Sequence, residues 1–334
     1  GIAPTLCTYH KTVMGMMETG VLHAPRLAVT TSCACDGNLS TFRQLGQRMG
    51  VPMVLLDVPY DNDDASVDYL ADQLRELART LEELTGVPFD ENRLSHLLEV
   101  ERETNALAWE FMRLQAEHFY PAEFIHHLFF VLAMQLSAGS EKLRDLLRFM
   151  VDDIKRAPRL QGDKILWVHL MPYYQQSLKA AFDYSPAHQI VAVDMAFCTM
   201  SDLADADPFR ALAKKLIDNA MNGPYERKLA LVDRLLDATH ADGVIHFCHW
   251  GCKQSAGGSA LLREHLHEAG VPLLQLDGDG IDERNSHDGQ IKTRLEAFFE
   301  VLEAKRAESD AQGGASSGES DAQGGGVEAK DGAR

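Results

Sequence analysis

The residues of this 334-residue chain with the most chemistry to offer are its six cysteines, which are unevenly spread. Cys33 and Cys35 lie close together in Thr30-Thr31-Ser32-Cys33-Ala34-Cys35-Asp36-Gly37-Asn38. Cys248 and Cys252 share His246-Phe247-Cys248-His249-Trp250-Gly251-Cys252-Lys253-Gln254. Cys7 stands in Leu6-Cys7-Thr8-Tyr9-His10-Lys11, and Cys198 in Met195-Ala196-Phe197-Cys198-Thr199. Disulfide scaffolds belong to short secreted chains, and nothing at this start resembles an export signal. Reduced thiols in a cytoplasm are the expectation, and clustered reduced thiols suit metal or redox chemistry. Thiolates hold iron–sulfur clusters, while structural zinc takes thiolates with or without imidazoles. His10, His246 and His249 keep zinc open, although the spacings here differ from the paired C-x-x-C knuckles of zinc ribbons. The bland alternative treats each thiol as a small buried hydrophobe, and Cys198 suits that best.

The elements that must position these thiols fall into three textures. Residues 1–62 read as a partial α/β unit. A β-prone run at 26–31 ends in the Cys33/Cys35 pair. A helix capped by Asn38 or Ser40 then runs to Met49, Gly50 stops it, and a strand follows at 52–58. Residues 63–160 read as helical. Val67, Leu70, Leu74, Leu77, Leu81 and Leu84 step along one face, and Asp90 caps a second helix. Pro121 opens an apolar third helix, and residues 141–156 form a fourth. Residues 161–306 alternate again, with strands near 165–170, 190–193, 244–247 and 272–276 and helices between them. Near-continuous apolar strands alternating with helices imply a parallel sheet covered on both faces. From about residue 307 a Gly, Ser, Asp and Glu repeat predicts a disordered tail without chemistry.

Four of the six cysteines fall just beyond predicted strands, one pair in each α/β region. That is where open α/β sheets keep their ligands. Two such domains facing across a cleft would bring the thiolates together. Past the last strand, Asp277-Gly278-Asp279-Gly280 reads either as a binding loop or as a tight turn with solvated carboxylates. Ser255-Ala256-Gly257-Gly258-Ser259 offers backbone N–H groups to an anion, or simply allows close packing.

Composition excludes several function classes. Lys plus Arg total 32 against 50 for Asp plus Glu, giving a formal charge of -18, and no basic cluster offsets it. Nucleic acid is therefore not an expected partner. No apolar run reaches the ~20 residues of a membrane span. The chain opens Gly-Ile-Ala-Pro rather than with Met, as expected of a processed protein or of part of a longer one.

Taken together, these stretches resemble the 2-hydroxyacyl-CoA dehydratase component family, which also holds benzoyl-CoA reductase subunits and double-cubane-cluster reductases. Leu6-Cys7-Thr8-Tyr9-His10-Lys11 is similar to the first cluster-cysteine segment of that family. Thr31-Ser32-Cys33-Ala34-Cys35-Asp36-Gly37 is similar to the second, with Cys35 before Asp-Gly as the matching thiolate. The C-terminal signature runs from Asp242-Gly243-Val244-Ile245 through Cys252-Lys253, Gly270-Val271-Pro272, Asp277-Gly278-Asp279 and Arg284-Asn285 to Thr293-Arg294-Leu295-Glu296. The resemblance covers most of residues 1–306 and excludes the tail.

It implies two Rossmann-like parallel-sheet α/β domains flanking a helical segment, with the cofactor in the cleft and the first domain lacking its start. It implies a [4Fe–4S] cluster on Cys7, Cys35 and Cys252, with one iron open to the thioester oxygen of an acyl-CoA. The implied reaction removes water from an (R)-2-hydroxyacyl-CoA to give an enoyl-CoA. It proceeds through a ketyl radical after one electron arrives from an ATP-dependent iron–sulfur activator protein. A paralogous subunit or a second copy would complete the enzyme, and His249 is a candidate base by position alone. The chain departs from the family in starting close to its first cysteine and in carrying Cys33, Cys198 and Cys248 besides the matched set. A larger cluster in an ATP-driven reductase and a non-catalytic partner subunit are therefore the alternatives.

Overall fold

A computed structural model describes residues 3–318, the side chains of 309–318 excepted. Helix α1 (Thr8–Glu18) precedes β1 (Ala28–Thr31), α2 (Asp36–Met49) and β2 (Met53–Leu56). The two strands pair in parallel, Val29 against Val54. Gly50, at φ +66°, ends α2 in the left-handed conformation that side chains resist.

Four helices follow: α3 (Asp64–Thr85), α4 (Glu91–Glu117), α5 (Phe124–Ser137) and α6 (Glu141–Ile154). Asp63 and Asp90 begin α3 and α4 by accepting the N–H groups of Ser66 and Arg93. Along α3 the apolar face is buried at Val67, Leu70 and Leu74, whereas Leu81 is exposed.

In the remainder, every strand is followed by one or more helices. It comprises β3 (Asp163–Val168), α7 (Gln176–Phe182), β4 (His188–Val193), α8 (Asp194–Phe197), α9 (Pro208–Ile217), α10 (Glu226–Thr239), β5 (Gly243–His249), α11 (Lys253–Ala256), α12 (Ser259–Glu268), β6 (Leu273–Gly278) and α13 (Asp288–Gly318). The four strands form one parallel sheet in the order β4-β3-β5-β6. The fold is thus α/β with two all-parallel sheets. In the larger sheet the order reverses between β3 and β5, which opens a crevice at their carboxyl ends.

Packing crosses the boundaries that texture suggested. Phe209, Ala213 and Ile217 of α9 are buried with Val67, Leu70 and Leu74 of α3 beneath the two-stranded sheet. Met112 of α4 and Leu147 of α6 join the core of the four-stranded sheet, where Ile165, Leu166, Val244 and Ile245 are fully enclosed. Strands buried on both faces need continuous apolar runs, which is why β3 and β5 are legible in the sequence. Helix α13 carries Ile291, Leu295, Phe298 and Leu302 on its buried face and continues past residue 307, where composition suggests a tail. The packed face nucleates the helix, and the helix formers at 303–308 extend it. The rest of the expected tail, 319–334, lies outside the described residues. Among the described residues, no helix is long and apolar enough to cross a membrane.

Candidate functional site

Each of the three cysteines expected to act as ligands stands immediately before a helix: Cys7 before α1, Cys35 before α2 and Cys252 before α11. Cysteine is not a customary capping residue, so sequence reasoning missed α1 and placed the start of α2 at Asn38 or Ser40. At Cys7 and Cys35 the position turns helix N–H groups toward sulfur. Burial pushes the Cys7 thiol up to about 11 against the opposing pull of the Tyr9 and His10 N–H groups, with the neighbouring Cys252 and Cys35 thiols adding to the rise. Burial also raises the Cys35 thiol, opposed by the N–H groups of Asn38 and Gly37.

All three thiols line one cavity of about 890 Å³, with Tyr60, Met221 and Lys253 also on its walls. The cavity lies where the two-stranded and four-stranded sheets meet. Close backbone approach makes this possible. Gly251 has φ +76°, and a Cβ there would come within 2.6 Å of the Thr5 carbonyl oxygen and 2.7 Å of the Cys7 nitrogen. At Gly37 a Cβ would stand 2.6 Å from His10 Nε2. The ammonium of Lys253 joins Asp36 at 2.8 Å from the opposite cysteine segment, an exposed pair that adds little stability. Among the described residues, no three His, Cys, Asp or Glu side chains lie close enough to hold a single ion.

Every one of these thiols meets an imidazole. Cys7 Sγ lies 3.1 Å from His249 Nε2, Cys35 Sγ 3.3 Å from His10 Nε2, and Cys252 Sγ 3.4 Å from His169 Nε2. On its other nitrogen, His249 accepts the backbone N–H of Gly280 at 2.8 Å, and His10 Nδ1 lies 3.0 Å from the Thr41 hydroxyl. Burial holds all three rings below the ordinary imidazole range, so they are neutral near pH 7. His169 follows β3 directly in a left-handed conformation, φ +79°, and its N–H donates to Asp194 Oδ1 at 2.6 Å. Sequence reasoning did not single it out. Its position at the carboxyl end of a central strand was the available signal.

The loop after β6 is the joint between the two regions. Asp279 is fully buried, and its carboxylate accepts the hydroxyl of Thr8, the Ile281 N–H at 2.9 Å, the Asp282 N–H at 3.0 Å and the Asn285 amide at 3.1 Å. Burial alone would raise this carboxyl, yet the N–H of Asp282, the Thr8 hydroxyl and the N–H of Ile281 hold it below the usual carboxylate range. The loop therefore holds the residue next to Cys7 and aims the Gly280 N–H at His249. This favours a structural turn over a ligand loop. In the stretch after Cys252, Ser255 Oγ takes the His249 N–H at 3.0 Å, and Gly258 lies so close to Tyr225 that a Cβ would fall 2.0 Å from its ring. Small residues there serve close packing.

The other three cysteines point elsewhere. Cys33 is buried with Leu56, Val58 and Phe209, and Cys198 lies in the core of the four-stranded sheet. Cys248 is buried on β5, its thiol 3.6 Å from the Ser255 carbonyl. None of the three lines the cavity. Burial pushes Cys33 up to about 11 and both Cys198 and Cys248 up to about 12.

Comparison with known proteins places the chain as a whole. A family model described as "2-hydroxyglutaryl-CoA dehydratase, D-component" matches residues 2–302. The chain is 21% identical over 330 residues to the (R)-phenyllactyl-CoA dehydratase alpha subunit of Clostridium sporogenes, covering 92% of this chain and 79% of that one. It is 21% identical to the (R)-2-hydroxyisocaproyl-CoA dehydratase alpha subunit of Clostridioides difficile, again over 92% and 79%. A benzoyl-CoA reductase subunit of Thauera aromatica is similar at 23% identity over 92% of this chain and 79% of its own.

Proposed function

The chain belongs to the 2-hydroxyglutaryl-CoA dehydratase D-component family, and from that premise we propose that it is the iron–sulfur component of a 2-hydroxyacyl-CoA dehydratase, a hydro-lyase. In this reading Cys7, Cys35 and Cys252 hold a [4Fe–4S] cluster. The observation that carries it is the convergence of these thiols, from three separate helix starts, on one cavity. A single zinc ion fits poorly, because no three donors among the described residues approach closely enough to share it. A cluster spans several ångströms and suits thiols arranged around a space.

When bound, the cluster supplies one-electron chemistry and an open iron toward an acyl thioester. The chain's own residues do the rest. The N–H groups of Tyr9, His10, Gly37 and Asn38 offset negative charge on sulfur. Gly251 lets the Cys7 segment seat against the β5 loop, and Asp279 fixes that segment through Thr8. The relatives named as dehydratases are alpha subunits, which supports a paralogous subunit as partner; the reading adds an ATP-dependent activator, an acyl-CoA substrate and a cytoplasmic location.

Protein reconstituted anaerobically should bind about four irons with sulfide and lose them on Cys252→Ser. Retention of the full cluster in that variant would overturn the ligand assignment. A 2-hydroxyacyl-CoA should then perturb the EPR spectrum of the cluster; an unchanged spectrum would identify a non-catalytic partner subunit.

A further inference from the structure

The three imidazoles beside the three cavity thiols share one arrangement. Each approaches a different sulfur through Nε2, at 3.1, 3.3 and 3.4 Å, and each comes from a different element. His249 ends β5, His10 lies in the first turn of α1, and His169 follows β3. The direction of the proton is fixed at His249. Its Nδ1 accepts the Gly280 N–H at 2.8 Å and so carries no hydrogen, which leaves the ring proton on Nε2, facing Cys7. At His10 the Thr41 hydroxyl lies 3.0 Å from Nδ1, and when it donates there the ring proton is left on Nε2, facing Cys35. At His169 no protein group among the described residues bonds Nδ1, so Nε2 toward Cys252 makes the only ring hydrogen bond. The ring is nonetheless held in place, by the Asp194 bond to its backbone N–H.

Holding these rings costs the fold something. His169 takes a left-handed backbone conformation, and residue 37 must be glycine for His10 to reach Cys35. Such features mark positions set by more than packing.

We propose that His249, His10 and His169 are positioning residues that donate Nε2–H to the sulfurs of Cys7, Cys35 and Cys252 and thereby set the reduction potential of the group those sulfurs hold. The inference rests on the [4Fe–4S] reading. A hydrogen bond to a ligand sulfur stabilises the more negative, reduced cluster, so each donor raises the potential. His249, whose proton direction is fixed by a backbone N–H, exerts the largest effect.

The test compares wild type, His249→Leu and His249→Gln, each reconstituted anaerobically and titrated by EPR. His249→Leu is expected to shift the reduced-to-oxidised ratio at a given potential by about tenfold toward oxidised, which is 59 mV for a one-electron couple. His249→Gln keeps an N–H donor and should recover most of that shift. With 15N-histidine, pulsed EPR of the reduced wild-type cluster should show couplings that His249→Leu diminishes. Should His249→Leu fail to fold, His10→Leu and His169→Leu carry the same measurements. Clusters of equal iron and sulfide content with unchanged potential and couplings would overturn the inference and leave the cluster reading standing. A wild-type protein that takes up no iron and sulfide would overturn both.

Discussion

Lys228 Nζ lies 3.3 Å from Asp194 Oδ2, and both side chains are 1% exposed. The pair sits behind the cavity, because Asp194 Oδ1 also takes the N–H of His169. Removing one partner of a buried pair strands the other charge in a medium that solvates it poorly. Lys228→Met should therefore lower the unfolding free energy by about 3–5 kcal/mol. The double variant Lys228→Met/Asp194→Asn should recover part of that loss. Anaerobic urea titrations will decide, and a single-variant loss below about 1 kcal/mol would show that the pair is not desolvated as described.

Gly251 supplies a second test, independent of charge. Its φ is +76°, and an added Cβ meets the Thr5 carbonyl oxygen and the Cys7 nitrogen, which are backbone and cannot rotate away. Gly251→Ala should cost more than about 1 kcal/mol from the backbone conformation alone. More tellingly, it should lift the Cys7 segment and reduce iron uptake by the purified protein. Gly15→Ala, where a Cβ meets nothing within 4 Å, is the control and should leave iron content unchanged.

Stability should depend on pH through buried histidine. His246 on β5 is fully buried, and burial, reinforced by the Lys228 ammonium, lowers its pKa to about 3. The unfolded chain protonates this ring near its ordinary value of about 6.5, while the native protein refuses the proton down to about 3. The neutral ring's contribution is thus complete above about 6.5 and declines as pH falls through this window, by at most about 1.4 kcal/mol per pH unit. His246→Gln should flatten the dependence between pH 6.5 and pH 4 in urea midpoints. An equally steep profile in the variant would assign the dependence to other groups.

How far the sequence carried depended on whether a feature was local. The parallel strands were legible because β3 and β5 are buried on both faces and must be apolar throughout. Asp90 and Gly50 were legible as helix signals because capping is a property of a few adjacent residues. Cys7, Cys35 and Cys252 were found through resemblance, and their role at helix starts stayed hidden because cysteine is not read as a cap. His169, Asp194 and Lys228 come together from the loop after β3, from α8 and from α10, and no spacing in a linear chain announces a tertiary triad. The insertion of α9 into the core beneath the first sheet was invisible for the same reason.

The three remaining cysteines permit a test of the larger-cluster alternative. A double cubane would need thiolates beyond Cys7, Cys35 and Cys252, and Cys33, Cys198 and Cys248 are the candidates. Each is buried away from the cavity, packed among core side chains rather than arranged around the open space. Replacing each in turn by alanine removes a sulfur from packed core and should cost about 1 kcal/mol or somewhat more through the small cavity left behind. Iron and sulfide per chain should nonetheless match wild type in all three variants, whereas Cys7→Ala and Cys35→Ala should each abolish binding of the intact cluster. Loss of about half the iron on Cys33→Ala or Cys248→Ala, with the fold intact by circular dichroism, would instead favour the double-cubane reductase. The contrast is sharp because the two sets differ in what surrounds the sulfur. The first set lines an open cavity, whereas the second is packed into the interior, with Cys248 beside the buried His246.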